Sequence, residues 1–182
     1  MFVRACYLGV ALALAPLCAH AGQWPDPASP VVPEADGYVV IPNVAKAPTK
    51  KTVYRAIWNA TQGADAANHI LPALNMAGSE LNALGASGVP VSNAKFVVVF
   101  HGDAMDGILD DAHYRAKFGV PNPNLSVLSA MKKAGVELYV CGQNMAFAKI
   151  DPATISPLVT VASDALLVLM EYQNSGYALM DF

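Results

Sequence analysis

The chain has 182 residues, 54% of them apolar and 14% charged, with a formal net charge of −3. That length suits one domain with extensions, and the apolar content supplies a buried core, which excludes a disordered chain. The mild acidity leaves no basic footprint for nucleic acid.

The first predicted element is a secretory signal peptide over residues 1–21. Arg4 is followed by an apolar run from Ala5 to Leu17, and Ala19-His20-Ala21 supplies a small-x-small cleavage site. The run is shorter than the roughly 20 residues a membrane-spanning helix needs, so no stable membrane insertion is expected after cleavage. A retained anchor is the alternative. Lipidation at Cys18 is disfavoured, because Leu17 is bulkier than the small residue that lipoprotein processing wants. The protein is expected to be exported to a periplasm. Cleavage removes Cys6 and Cys18 and leaves Cys141 alone, so no intrachain disulfide can form. A lone thiol in an oxidising compartment is buried and inert, or reactive, or paired with another chain.

Residues 22–50 form a proline-rich arm, with Pro25, Pro27, Pro30, Pro33, Pro42 and Pro48. The arm either lies on the domain or a neighbouring subunit, or is a mobile leader. Within it, "GYVVIP" (37–42) predicts a short edge strand. The domain proper spans 51–182. "KTVYRAIW" (51–58) reads as a strand. A helix is predicted over about 68–84, where Ile70, Leu74, Ala77, Leu81 and Leu84 make one apolar stripe and Pro72 sits in the first turn. "AKFVVVF" (94–100) is a continuous apolar run, the pattern of a central strand buried on both faces. A long loop with helical turns (101–119) follows.

After "PNPN" (121–124) a helix is expected over 125–134, with Leu125, Leu128 and Met131 or Lys132 on its facing side and Gly135 at its end. "VELYV" (136–140) is the next strand, followed by a short helical turn, "QNMAFAKI". "LVTVA" (158–162) is a fourth strand. Ser163 is the expected cap of a helix over 164–174 that Gly176 ends. "YALMDF" (177–182) closes as a fifth. Strands separated by helices give an α/β class: a three-layer α/β/α single domain with a mainly parallel five-stranded sheet. No internal repeat is present.

No phosphate loop, dinucleotide fingerprint, nucleophile elbow or paired C-x-x-C motif occurs, so no cofactor is indicated. In open α/β sheets, ligands collect beyond the carboxyl ends of the strands. His101-Gly102 follows one core strand and Cys141-Gly142 follows another, so both pairs should reach the same rim. A thiol reacts as its thiolate, which helix N-terminal amides or a nearby cation stabilise. "CGQN" provides a glycine turn into a short helix, and His101 is a candidate cation or base. The plainer alternative makes Cys141 a small buried hydrophobe and His101 a satisfied polar residue. Asn75 lies off the apolar stripe of its helix and either lines the rim or faces solvent. His101, Asp103, Asp106, Asp110, Asp111 and His113 offer oxygen and imidazole ligands, but their spacing matches no defined metal pattern. No metal is therefore assigned. The methionines are scattered and form no metal motif.

Three segments in order, "KFVVVFHGDAM", "LSVLSAMKKAGVELYVCGQNM" and "ISPLVTVASDALLVLMEYQNSGYALM", carry a resemblance to the DsrE/DsrF-like family, including its small YchN-like members. The resemblance covers about Thr52 to Phe182. It implies an α/β/α fold and homo-trimers, hexamers or related hetero-complexes. It also implies, for the sulfur-relay members, a cysteine at the end of the equivalent strand that accepts a persulfide and passes sulfur to a partner protein. Cys141 falls on that position. The chain differs from those members in its export signal and in "GQNMAFAK" after the cysteine, where Lys149 is the only basic residue. The leading expectation is an exported protein that binds or relays sulfane sulfur through Cys141, with His101, Gly102, Gly142 and Asn75 as binding residues. A sulfur in that role should be reachable from water. The competing expectations are an oligomeric module that binds a small ligand or a partner, with Cys141 structural, and a metal protein using the acidic loop.

Overall fold

The computed structural model describes residues 24–182. The expected signal peptide, with Cys6 and Cys18, lies outside the described residues. Five strands form one sheet in the order β4-β3-β2-β1-β5. They are β1 (Tyr54–Ala60), β2 (Ala94–Phe100), β3 (Glu137–Cys141), β4 (Thr160–Ala162) and β5 (Ala178–Asp181). Every neighbouring pair is parallel. The order has a physical origin. Each parallel step needs a crossover, and the steps from β1 to β4 march one way across the sheet. The chain then returns across the opposite face to set β5 beside β1.

The helices divide accordingly. α1 (Pro72–Ala86) and α3 (Asn124–Lys133) cover one face, and α5 (Ala165–Asn174) covers the other. Leu74, Leu81, Leu128 and Met131 pack on Trp58, Phe96, Val98 and Phe100 of the strands. The second core is smaller: Ile57, Val97, Val99 and Cys141 under Ala165 and Leu169. β2 contributes to both, which is why its sequence is continuously apolar. Tyr139 and Tyr172 both donate to Glu137 Oε2 at 2.8 Å and tie α5 to β3.

Several boundaries differ from expectation. β1 begins at Tyr54, because Thr52 closes a turn onto the Thr49 carbonyl. The first helix begins at Pro72, and Leu71 instead donates its N–H to Asn124 Oδ1 at 2.8 Å. The 101–119 stretch is more regular than a loop. A 3-10 helix over Gly102–Ile108 leads into α2 (Asp111–Phe118), capped by Asp110 through the His113 N–H at 2.8 Å. Asp164, not Ser163, caps α5, accepting from the Leu167 N–H. Pro72, Gly135 (φ 87°) and Gly176 (φ 83°) do occupy a helix start and two helix ends.

The arm lies against its own domain. Val32 is fully buried, and the buried Asn82 of α1 accepts from the Val31 and Val32 N–H groups at 3.0 and 2.9 Å. Its Nδ2 donates back to the Val32 and Asp36 carbonyls. The expected strand at 37–42 does not form. Tyr38 makes one antiparallel bridge to Ala28, outside the main sheet, and the chain then turns with Asn43 at φ 57°.

Candidate functional site

The rim at the carboxyl ends of the strands is built by the parallel register. The β2–β3 pairing ends with Phe100 opposite Val140, so His101 and Cys141 are the next residues along the same two strands. His101 keeps an extended backbone (φ −156°, ψ 177°), so side chains continue to alternate. Val97, Val99 and Cys141 share the α5 face, and His101 follows them onto it. Sequence reasoning placed these two residues on one rim, and the structure brings them side by side.

Cys141 begins α4 (Gly142–Ala148). Its Sγ receives the Asn144 N–H at 3.5 Å and the Ala165 N–H at 3.3 Å. These amides belong to the first turns of two different helices, so both positive helix ends converge on one sulfur. Cys141 is nonetheless buried, at 4% exposure. The expectation of a water-reachable sulfur is corrected: Ala165 and the start of α5 close over it from one side and α4 from the other. The surroundings are not purely aliphatic, since both amides face it.

Gly102 and Gly142 permit the two sharp turns off the strands. A Cβ on Gly142 would meet the Ala162 carbonyl oxygen at 2.6 Å, so only glycine fits there without displacing backbone. Gly102 has φ +59°, and its N–H donates to Asn144 Oδ1 at 3.3 Å, linking the two turns. Beside this link lies a cavity of about 360 Å³, lined by Gly102, Asp103, Asp106, Lys117, Asn144 and Ile150 among others. It reaches the turns but not Cys141 itself.

His101 is half-buried, and its Nε2 meets Asn59 Oδ1 at 2.6 Å. Asn59, one residue before the end of β1, donates from Nδ2 to Asp181 Oδ1 on β5 at 2.7 Å. Burial pushes the His101 imidazole below its ordinary value, while the charges of Asp164 and Asp181 pull it the other way. Asn59 and Asp181 were missed from sequence.

Asn75 does not join this group. It sits on α1, across the sheet from Cys141, where Oδ1 accepts the Asp36 N–H and Nδ2 donates to Asp36 Oδ2. It anchors the arm. The acidic loop is also spent locally. Asp106 pairs with Lys117, Asp111 with Arg115, and Asp110 with His113. Among the described residues no three histidine, cysteine or carboxylate side chains converge as a metal would require. The metal expectation has no geometric basis. No helix among the described residues is long and apolar enough to cross a membrane.

Comparison with known proteins follows the same lines. No curated protein matches the chain. Solved structures that resemble it include two. One is a protein of unknown function, MTH1491 from Methanobacterium thermoautotrophicum, with 16% identity and a TM-score of 0.51 over 71% of this chain and 99% of that one. The other is the ychN protein from E. coli, with 13% identity and a TM-score of 0.48 over the same shares. The first likeness is one of fold. The model of the DsrE/DsrF-like family matches residues 55–182, which takes in all five strands but for the first residue of β1 and covers most of the chain, and the protein belongs to that family.

Proposed function

We propose that this protein is an exported carrier that binds or relays sulfane sulfur as a persulfide on Cys141. The observation that supports it most is the pair of backbone amides, from Asn144 and Ala165, that converge on Cys141 Sγ beside His101. A sulfur that gains and loses negative charge needs such donors. The step balances simply. The Cys141 thiolate attacks the sulfane sulfur of a persulfide R–S–SH, the old S–S bond breaks, and R–S⁻ leaves. Cys141 then carries the sulfur as Cys–S–SH with no net oxidation. His101 takes the thiol proton before attack and returns it to the leaving thiolate. Transfer to an acceptor thiol runs the same exchange in reverse. Because Cys141 is recessed, the first donor is small, a polysulfide that leaves one sulfur shorter or thiosulfate that leaves as sulfite, and a protein donor would need the rim to open.

The protein works as a homo-oligomer, a trimer or hexamer, and α5 is the surface that supports this assembly. Export follows from residues 1–21.

A second reading has its own support. The 4% exposure of Cys141 and its two amide contacts also suit a purely structural helix cap in a ligand- or partner-binding module. Mass spectrometry of the native protein after polysulfide or thiosulfate separates the two. Carriage predicts added multiples of one sulfur atom on Cys141, removed by reductant and absent in Cys141→Ser. An unchanged mass, with a thiol silent to alkylation until the protein unfolds, would leave Cys141 structural.

A further inference from the structure

The hydrogen-bond chain from β5 through β1 to the end of β2 determines which nitrogen of His101 carries a proton. Asp181 is an exposed carboxylate and only accepts, so the Asn59 group facing it at 2.7 Å must be Nδ2. That places Oδ1 toward His101, and an amide oxygen only accepts as well. The ring nitrogen at 2.6 Å from it, Nε2, must therefore donate. Reversing the Asn59 amide would set oxygen against carboxylate and N–H₂ against N–H. No second arrangement satisfies all three residues. Among the described residues Nδ1 has no hydrogen-bond partner, and in the neutral ring it holds the free lone pair.

The location strengthens the argument. β1 is the strand at which the topology reverses: α1 leaves it on one face, while α5 delivers β5 to its other side from the opposite face. Crevices in α/β sheets open at such points. Asn59 and Asp181 are register partners there, and Cys141 stands on the far side of His101.

We propose that Asn59 and Asp181 are positioning residues that hold His101 in its Nε2–H tautomer, leaving Nδ1 as the proton acceptor for the Cys141 thiol. In the structure Sγ faces the Asn144 and Ala165 amides and makes no hydrogen bond to the ring. The thiol must therefore turn from them toward the neighbouring strand end before its proton passes from Sγ to Nδ1, giving thiolate and imidazolium, while the Asn59 oxygen keeps the ring oriented in both states. The charged groups facing the ring are Asp164 from the start of α5 and Asp181 from β5; α4 has no charged residue. Both acids favour the imidazolium once the proton arrives. The tautomer stands independently of any sulfur chemistry, while the proton-accepting role rests on the carrier reading above.

The test uses ¹⁵N-histidine-labelled protein, with the His101 signals assigned by loss in His101→Gln. Long-range ¹H–¹⁵N spectra should show a single Nε2–H tautomer. Asn59→Ala should release the ring to the tautomer mixture of free imidazole. Asp181→Asn should loosen it in the same direction, and it decides the matter if Asn59→Ala does not fold. The exchanged pair Asn59→Asp with Asp181→Asn keeps an oxygen facing Nε2. It should restore the single tautomer and raise the pH at which the ring ionises by about one unit or more. The alkylation rate of Cys141 against pH should carry the His101 inflection and move with it in the exchanged pair. A wild-type ring in the Nδ1–H form, a ring indifferent to both single variants, or a thiol rate that ignores the displaced ring would overturn the proposal. A wild-type ring as described, with its linked thiol rate but no sulfur uptake, would sink the carrier reading and leave the positioning role standing.

Discussion

At the scale of single residues, the rim depends on what is absent from Gly142. An added methyl would lie 2.6 Å from the Ala162 carbonyl, and backbone cannot step aside as a flexible side chain can. Gly142→Ala should cost about 1–3 kcal/mol, read as a fall in Tm, and should separate β3 from β4 before it disturbs the other face. His101 gives a second expectation through pH. Its folded-state ionisation lies below the ordinary value of 6.5 because burial disfavours the charged ring. The unfolded chain therefore binds a proton first as pH falls. The stability that this histidine contributes is present above 6.5 and is lost as pH drops through its lower folded value. A plot of Tm against pH should decline just below 6.5, and His101→Gln should flatten that segment alone. The surface acids Asp65, Asp110 and Asp111, all shifted downward from 3.8 by their partners, act only at lower pH and should be unaffected. Cys141 and His101 were legible in the sequence because strand ends can be counted from apolar runs. Asn59 and Asp181 were not, because they lie 122 positions apart and only the sheet order makes them neighbours. Asn75 misled because a polar residue off an apolar stripe looks the same whether it faces a ligand or another part of its own chain.

At the scale of elements, β2 and the helix ends were readable because each has a local cause: a doubly buried strand is apolar throughout, and glycine takes the left-handed turn that ends a helix. The arm was not readable, since nothing local separates a mobile proline-rich segment from a docked one. What docks it is a buried asparagine in the middle of α1, together with two glycines. A Cβ on Gly78 would meet Ala35 at 2.5 Å, and one on Gly85 would meet Val31 at 2.8 Å. α1 is therefore cut low where the arm crosses it. Asn82→Ala would strip the partner from one buried and one partly buried N–H group, at a cost of about 2 kcal/mol. Hydrogen exchange at Val31 and Val32 should accelerate, and limited proteolysis should cut within residues 24–50 while the sheet stays intact. Gly78→Val should produce the same undocking by collision rather than by lost bonds. Protection that persists in both variants would mean that the arm is held by something other than α1.

At the scale of the whole molecule, the two faces of the sheet are unequally finished. One carries α1, α3 and the arm over the larger core. The other has a core of only six buried residues, two of them from α5 itself. The sequence of α5, "ALLVLMEYQN", has no polar side for its first six positions. Ala165 and Leu169 turn inward, while Leu166, Leu167 and Met170 stand 59%, 57% and 51% exposed on the outer side. Leu179 of β5, on the same face of the sheet, is also exposed, as is Phe147 of α4 at the rim. A helix apolar all round is normally buried, and a contiguous apolar patch on a monomer marks a contact surface. The occupant that fits the proposed hexamer is the same face of a second copy, since an isologous contact matches apolar side chains to themselves across the two-fold axis that would join two trimers. Such a contact would lie beside the rim, because α5 begins at the amide that touches Cys141. Leu166→Glu with Met170→Glu would bury four carboxylates for each pair of copies, so sedimentation should show the assembly falling to half its size or less. The fold should survive, because neither side chain belongs to the core, and far-ultraviolet circular dichroism checks that. A wild-type protein that sediments as a monomer at high concentration, or a doubly charged variant that keeps the wild-type size, would remove α5 as the interface and leave the fold and the rim chemistry as they stand.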